Sequence, residues 1–180
     1  PGGELAITSN EAFHLERLPH HIIVQGGGYI AVEFACLFHA LGARVTLLHR
    51  GPEILRGFDD DLRQHLRSEM VARGIQIFLG QTAASIRRDG RELEVTLSNG
   101  EKHRGDVVMA AIGRTPNTQN LGLEAAGVKL NKDGAVAVDE ESRSSVPSIY
   151  AIGDVTNRIA LTPVAIREGH AFADTVFGNK

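Results

Sequence analysis

The stretch that most limits what this chain can fold into is residues 22–33, IIVQGGGYIAVE. Ile22, Ile23 and Val24 form a β-prone run without helical spacing. Gly26, Gly27 and Gly28 follow almost at once. Apolar residues then recur at three- and four-residue steps, at Ile30, Phe34, Leu37, Phe38 and Leu41. The order is strand, tight turn, helix. The turn fits the pattern G-x-G-x-x-A through Gly26, Gly28 and Ala31, and each position has a physical role in a dinucleotide site. Gly26 allows a turn too sharp for a side chain, Gly28 leaves room for a pyrophosphate against the backbone, and Ala31 lets the helix pack close to the strand. The helix N-terminus then offers N–H groups and a partial positive charge to the phosphates. A glycine-rich turn that binds nothing has the same letters, so the discriminating residues lie further on.

About 20 residues downstream, a dinucleotide site has to handle the adenosine ribose. Arg44 to Leu48 predicts a second strand after the helix-stopping Leu41-Gly42. An NAD site places a carboxylate at the tip of that strand. This chain has His49-Arg50 there, then Arg56. Guanidinium groups donate paired, charged hydrogen bonds in a planar fork that suits a phosphate. Arg50 and Arg56 therefore point to NADPH, held by its 2′-phosphate, although ordinary solvated loop charges would look the same in a sequence.

Composition sets the outer limits. The chain has 180 residues, 42% hydrophobic and 23% charged, with a net charge of −3, which predicts a globular protein without the basic stripe of a nucleic-acid partner. No apolar run reaches the roughly 18 residues of a membrane span. The single cysteine, Cys36, excludes an internal disulfide and fits a reducing, cytoplasmic setting. The chain opens with Pro1-Gly2-Gly3, which predicts a fragment or a processed chain.

Residues 1–14 are expected as a linker with a short capped turn near Ser9. The adjacent His20 and His21 lack further Cys or His at ligand spacing and predict a polar edge rather than a metal site. Asp59, Asp60 and Asp61 suit a helix start, and Leu62, Leu66, Met70 and Val71 predict its buried stripe. Ile75 to Leu79 is a third strand. Asp89-Gly90 and Asn99-Gly100 are hairpin signals, so residues 84–87 and 93–97 predict an antiparallel meander that returns to a buried strand over 107–112. Strand-like segments follow at 135–138 and 148–152. A final helix starts at Thr162-Pro163 and runs to Phe177.

The ordered set IIVQGGGYIAVEF, LLHRGPEILRGFD, AAIGRTPNT, IYAIGDV and LTPVAIREG resembles the flavin-dependent pyridine nucleotide–disulfide oxidoreductases. The likeness is greatest to the branch that passes electrons from NADPH through FAD and a cysteine pair to glutathione disulfide; the alternatives are another family member, such as a mercuric, lipoamide or ferredoxin-type reductase, or a non-catalytic nucleotide-binding module. It implies an α/β fold: a Rossmann-like parallel sheet with an antiparallel β-meander, then a partial flavin-domain segment. The implied domains are an NADPH-binding domain over 15–115 and the second part of an FAD-binding domain over 116–180. By the same resemblance, Tyr29 covers the nicotinamide pocket beside Ile30, and Glu33 faces the flavin. Gly113 and Arg114 line the NADPH site. Gly153 and Asp154 meet the ribityl chain of FAD, and Leu161 and Thr162 bring a helix N-terminus to the flavin ring. The implied parent is a homodimeric enzyme with neither nucleic acid nor membrane as partner.

Two departures from the family pattern stand out. The redox pair C-x-x-x-x-C is absent, since Cys36 stands alone, and neither the first flavin glycine fingerprint nor a His-Glu acid–base pair is found. The expectation is therefore a chain that supplies NADPH binding and part of a flavin site, without catalytic residues of its own for disulfide reduction.

Overall fold

A computed structural model describes residues 1–178. The chain forms two compact units, Pro1–Gly113 and Arg114–Lys180.

In the first unit the elements run α1 (Ser9–Ala12), β1 (His21–Gln25), α2 (Tyr29–Ala40), β2 (Arg44–His49), α3 (Asp60–Ala72), β3 (Gln76–Leu79), β4 (Ala83–Asp89), β5 (Glu92–Leu97), β6 (Lys102–Gly105) and β7 (Val107–Ala110). Four strands make a parallel sheet in the order β3-β2-β1-β7, while β4-β5-β6 form an antiparallel sheet. The parallel strands read as continuous apolar runs because both of their faces are covered. Ile22, Val24, Val45, Leu47 and Met109 pack with Ala31, Phe34, Ala35 and Phe38 of α2. Ile23, Leu48 and Val108 point the other way, onto Leu93, Val95 and Leu97 of β5. The meander is thus the second cover of the nucleotide-type sheet, which is why Ile22, Ile23 and Val24 are all fully buried.

The hairpin signals fall where expected. Asp89 pairs with Glu92 across a two-residue turn in which Gly90 has φ +64°, and Gly100, with φ +89°, turns the chain between β5 and β6. Strand β6 was not anticipated, because Lys102, His103 and Arg104 carry no apolar alternation. Strand β7 stops at Ala110 rather than Ile112, whose side chain is exposed. Residues 1–14, expected as a linker, lie along this unit. Ile7 bridges Met109, its N–H donating to the Val108 carbonyl, and Thr8 caps α1 in a reciprocal box with Glu11.

Helix α3 departs from its predicted stripe. Met70 is buried and Leu66 half-buried against the core, but Leu62 and Val71 are exposed. The inward face is Arg63, Leu66, Arg67 and Met70, a regular i, i+3, i+4, i+7 set that includes two arginines. Their aliphatic stems cover apolar surface while their heads bind the loop before the helix. The adjacent histidines are structural. His21 is buried, with Arg44 Nη2 donating to its Nδ1 at 2.8 Å and Thr46 Oγ1 at 2.9 Å from its Nε2. Among the described residues no cluster suits a metal ion, and no helix is long and apolar enough to cross a membrane.

The second unit has a small apolar cluster of Val128, Val136 and Ala151, and a helix α4 (Thr162–Phe177) with the expected proline in its first turn. The strands expected at 135–138 and 148–152 do not form. Val136, Val138 and Tyr150 each make an isolated bridge, to Leu130, Ser144 and Arg143, and with a different partner each time no ladder can extend.

On β5, Glu94 shows how the meander closes its outer face. Its side chain is 5% exposed, opposite Arg87 and Arg104 on the flanking strands. It accepts from Arg87 Nε at 2.9 Å and lies 3.0 Å from Lys102 Nζ. Those hydrogen bonds, with Arg87 first, hold its carboxyl down to about 2. An unfolded glutamate titrates near 4.3. The folded state therefore gains stability from this group above that value and loses it as the pH falls through 4 toward 2. Chemical denaturation at pH 7, 4 and 3 should show wild-type stability falling more steeply with acid than that of Glu94→Gln.

Candidate functional site

The glycine turn lies where the C-terminal ends of β1, β2 and β7 meet the start of α2, the crevice in which open α/β sheets bind ligands. Gly26 has φ +147°, and a side chain on it would run into the carbonyl oxygen of Ala111 while pressing to 3.1 Å from the Cβ of Ala31. Its N–H donates to Leu48 at 2.9 Å. Ala31 is fully buried, as its packing role requires. Gly28 is different: it is the N-cap of α2 in extended backbone, and nothing stands within 4 Å of where its Cβ would be. The open volume expected over the backbone at Gly28 is present.

Gly27, which the G-x-G-x-x-A pattern leaves unassigned, is as tightly constrained as Gly26. A Cβ there would collide with Nδ1, Cγ and Cε1 of His49. The imidazole stands at the end of β2 between two glycines, since a Cβ on Gly51 would come within 2.6 Å of its Nε2. Burial, ahead of the neighbouring Arg50 and Arg56, pushes His49 below its ordinary range, and a hydrogen bond with the Glu53 backbone works against this.

The arginine-bearing loop is fastened to this turn. The N–H of Leu55 donates to the carbonyl of Gly27 at 2.6 Å, with Leu55 in the left-handed region at φ +53°. The loop's start is tied to the end of β3, where Gly80 N donates to Gly51 O at 3.1 Å and Gln81 N to His49 O at 3.0 Å. Glu53 is the loop's acid, and its carboxylate is engaged by helix α3. Arg67 Nε contacts both its carboxylate oxygens, at 2.9 and 3.0 Å, and its side chain is 15% exposed. Arg63 Nε donates to Ile54 O at 2.7 Å on the same side. Arg50 and Arg56 are exposed, and among the described residues neither forms an ion pair with a carboxylate. The position that a carboxylate occupies in an NAD site is held by His49.

The remaining predicted residues are distributed as follows. Tyr29 and Ile30 open α2 half-buried, with Ile30 packed on the core. Glu33 lies on the exposed side of α2, so the apolar neighbours Val32 and Phe34 do not enclose it and it needs no buried partner. Cys36 is half-buried on the same helix, and burial pushes its thiol up, the opposite of a reactive cysteine. Gly113 ends the first unit in an open position with φ +148°.

In the second unit, Arg114 and Asp154 are 3.6 Å apart and both about half exposed, a loose surface pair of little energy. Gly153, with φ +69°, is pressed against α4, where a Cβ would come within 2.9 Å of Ala165. Its N–H donates to Glu168 at 2.7 Å, and Glu168 also accepts from Arg158 at 3.1 Å. Glu168 thus fastens the Gly153-Asp154 turn to α4. Nothing local to Glu168 signals this contact, because a glutamate in a helix is ordinary. Leu161 is the N-cap of α4 and Thr162 its first residue, both exposed.

A parallel sheet with a glycine turn opening the first crossover helix, and cations rather than an acid beyond the second strand, defines a dinucleotide-binding α/β unit. The chain belongs to the pyridine nucleotide-disulphide oxidoreductase family, which it matches over residues 2–169. It is 55% identical over 179 residues to a glutathione reductase of Burkholderia cepacia, covering 99% of this chain and 40% of that protein. It is 51% identical over 185 residues to a trypanothione reductase of Trypanosoma congolense, covering 100% and 37%. Among solved structures, it is similar to the HOCl-induced flavoprotein disulfide reductase RclA from Escherichia coli. The TM-score is 0.93 at 29% identity, over 100% of this chain and 42% of that one. The chain spans about 40% of the length of these relatives.

The two fingerprint glycines should behave oppositely when replaced. Gly26→Ala combines a positive φ with a backbone collision and should cost about 1–3 kcal/mol of stability or more. Gly28→Ala meets open space and changes only a cap, for less than about 1 kcal/mol. Urea denaturation of the two variants reads the difference directly.

Proposed function

We propose that this chain is the NADPH-binding unit, with part of the flavin site, of an NADPH-dependent flavoprotein disulfide reductase whose substrate is glutathione disulfide. In such an enzyme NADPH supplies a hydride that FAD accepts, and the electrons pass through a cysteine pair to the disulfide. The protein's part is binding, orientation and charge placement. The open backbone at Gly28 and the N-terminus of α2 receive the pyrophosphate, with Gly26 and Ala31 allowing the close packing beneath it. Arg50 and Arg56 receive the 2′-phosphate. Tyr29 and Ile30 flank the nicotinamide end, with Glu33 on the side that meets the flavin, and Gly113 and Arg114 complete the lining. In the second unit, Gly153 and Asp154 hold the ribityl chain. Leu161 and Thr162 present the N-terminus of α4, whose partial positive charge stabilises negative charge on a reduced flavin.

The observation that carries this proposal is the loop charge arrangement. Its acid, Glu53, is locked behind it by Arg67, while Arg50 and Arg56 stand exposed without a carboxylate partner, in a loop hydrogen-bonded to the glycine turn. A larger disulfide such as that of a trypanothione reductase is a second candidate, supported by the 51% identity to one such enzyme. The NADPH step would be the same.

Titration of the chain with NADPH and NADH, followed by nicotinamide fluorescence, tests the proposal. NADPH should bind more tightly. Arg50→Ala and Arg56→Ala should each weaken it by about 10- to 100-fold, the worth of a charged hydrogen bond of about 1.5–3 kcal/mol, with NADH nearly unchanged. Equal affinities of the wild-type chain for the two cofactors would rule the phosphate clamp out.

A further inference from the structure

The clamp as described leaves one group at its centre without a role. His49 stands at the tip of β2 between the turn that takes the pyrophosphate and the loop that carries the two arginines. A Cβ on Gly27 would come within 2.3 Å of its ring and one on Gly51 within 2.6 Å, so the ring would have to move for a side chain at either position. It is the residue that meets both halves of the proposed nucleotide site. The charged groups bearing on it are Arg50, Arg56 and Glu53. The glycine turn and the end of β3, which also pack around it, bring none.

We propose that His49 is a specificity-determining residue of this site, an imidazole that becomes a third cationic contact when the 2′-phosphate of a dinucleotide occupies the loop. The inference rests on the NADPH reading above. In the free protein, burial first and then the two guanidiniums disfavour the charged ring, against the pull of Glu53. A 2′-phosphate carries about −1.5 to −2 charges at that pH. An opposite charge at close range favours the protonated ring by about ten- to a thousandfold. The phosphate therefore draws a proton from solvent onto His49. A dinucleotide with a 2′-hydroxyl brings no such charge and leaves the ring neutral. Affinity for the phosphorylated cofactor gains as pH falls from the ring's bound-state value toward its free-state value, by at most tenfold per pH unit. The phosphate's own second ionisation, near pH 6, acts in the opposite direction, so the informative range lies above pH 7.

Calorimetric titration of the 180-residue chain at pH 7.5, in two buffers of different ionisation enthalpy, counts the protons taken up. With wild type, NADPH should bind with net proton uptake and NADH without it. The dissociation constant for NADPH should tighten by up to about tenfold between pH 8.5 and 7.5. His49→Gln, checked for native thermal unfolding, should bind NADPH with no uptake and a flat profile over that range. Equal uptake in wild type and His49→Gln overturns the proposal. If His49→Gln does not fold, absence of uptake by wild type overturns it and uptake with NADPH alone supports it. A wild-type chain that fails to distinguish NADPH from NADH refutes the clamp itself, whereas a chain that distinguishes them without uptake refutes only the part given to His49.

Discussion

The first unit depends on a place where backbones come too close for side chains. At the turn after β1, the carbonyl of Ala111 abuts Gly26, the ring of His49 abuts Gly27, and the amide of Leu55 reaches the Gly27 carbonyl. Three separate parts of the chain, the ends of β7 and β2 and the loop beyond β2, are positioned against one short run of glycine. Burial of the sheet between α2 and the meander supplies the driving force, of the order of 25 cal/mol per Å² of apolar surface. The turn sets the geometry that this force holds in place.

Charge is organised on the same plan. Helix α3 turns two arginines inward, and both are used on the back of the loop, one on the Ile54 carbonyl and one on the Glu53 carboxylate. Had Glu53 been free, it would neutralise the exposed cations three residues either side. Engaged from behind, it leaves the exposed face of the loop to Arg50 and Arg56. Guanidinium groups thus have two roles within one stretch of chain. Half-buried ones with fixed partners hold the loop, and the exposed ones have no carboxylate partner among the described residues.

Most of the first unit could be read from local pattern. The parallel strands show unbroken apolar runs, the hairpins show Asp-Gly and Asn-Gly, and α2 and α4 show helical spacing, although the expected cap Thr162 is the first helical residue of α4 and Leu161 is its N-cap, without a side-chain cap bond. What escaped was set by tertiary contact. Strand β6 is polar because its outer side chains serve Glu94, and the inward face of α3 contains arginines that a hydrophobicity pattern counts as outward. Gly27 stands at an unassigned position of the glycine pattern, and His49, 22 positions away in the sequence, leaves no local trace of its contact with it. In the second unit, the segments at 135–138 and 148–152 have β-prone letters, but a strand needs a ladder, and each of these finds only single bridges. Of the site, the glycines and the exposed arginines were legible as residues. The engagement of Glu53 and the wedge of His49 were not, because both are relations between elements.

The double anchoring of the loop also bears on how such a unit can change over evolutionary time. Gly51 is moored to Gly80 and Leu55 to Gly27, so the intervening residues are a span of fixed length between two piers. Inside that span Glu53 is held by Arg67 and Ile54 is fully buried, whereas the arginines just outside its two ends can be exchanged without touching either pier, and an insertion or deletion would unmoor one end. The charge carried by the loop is therefore free to drift by substitution at positions 50 and 56, while the length of the span between them stays constant.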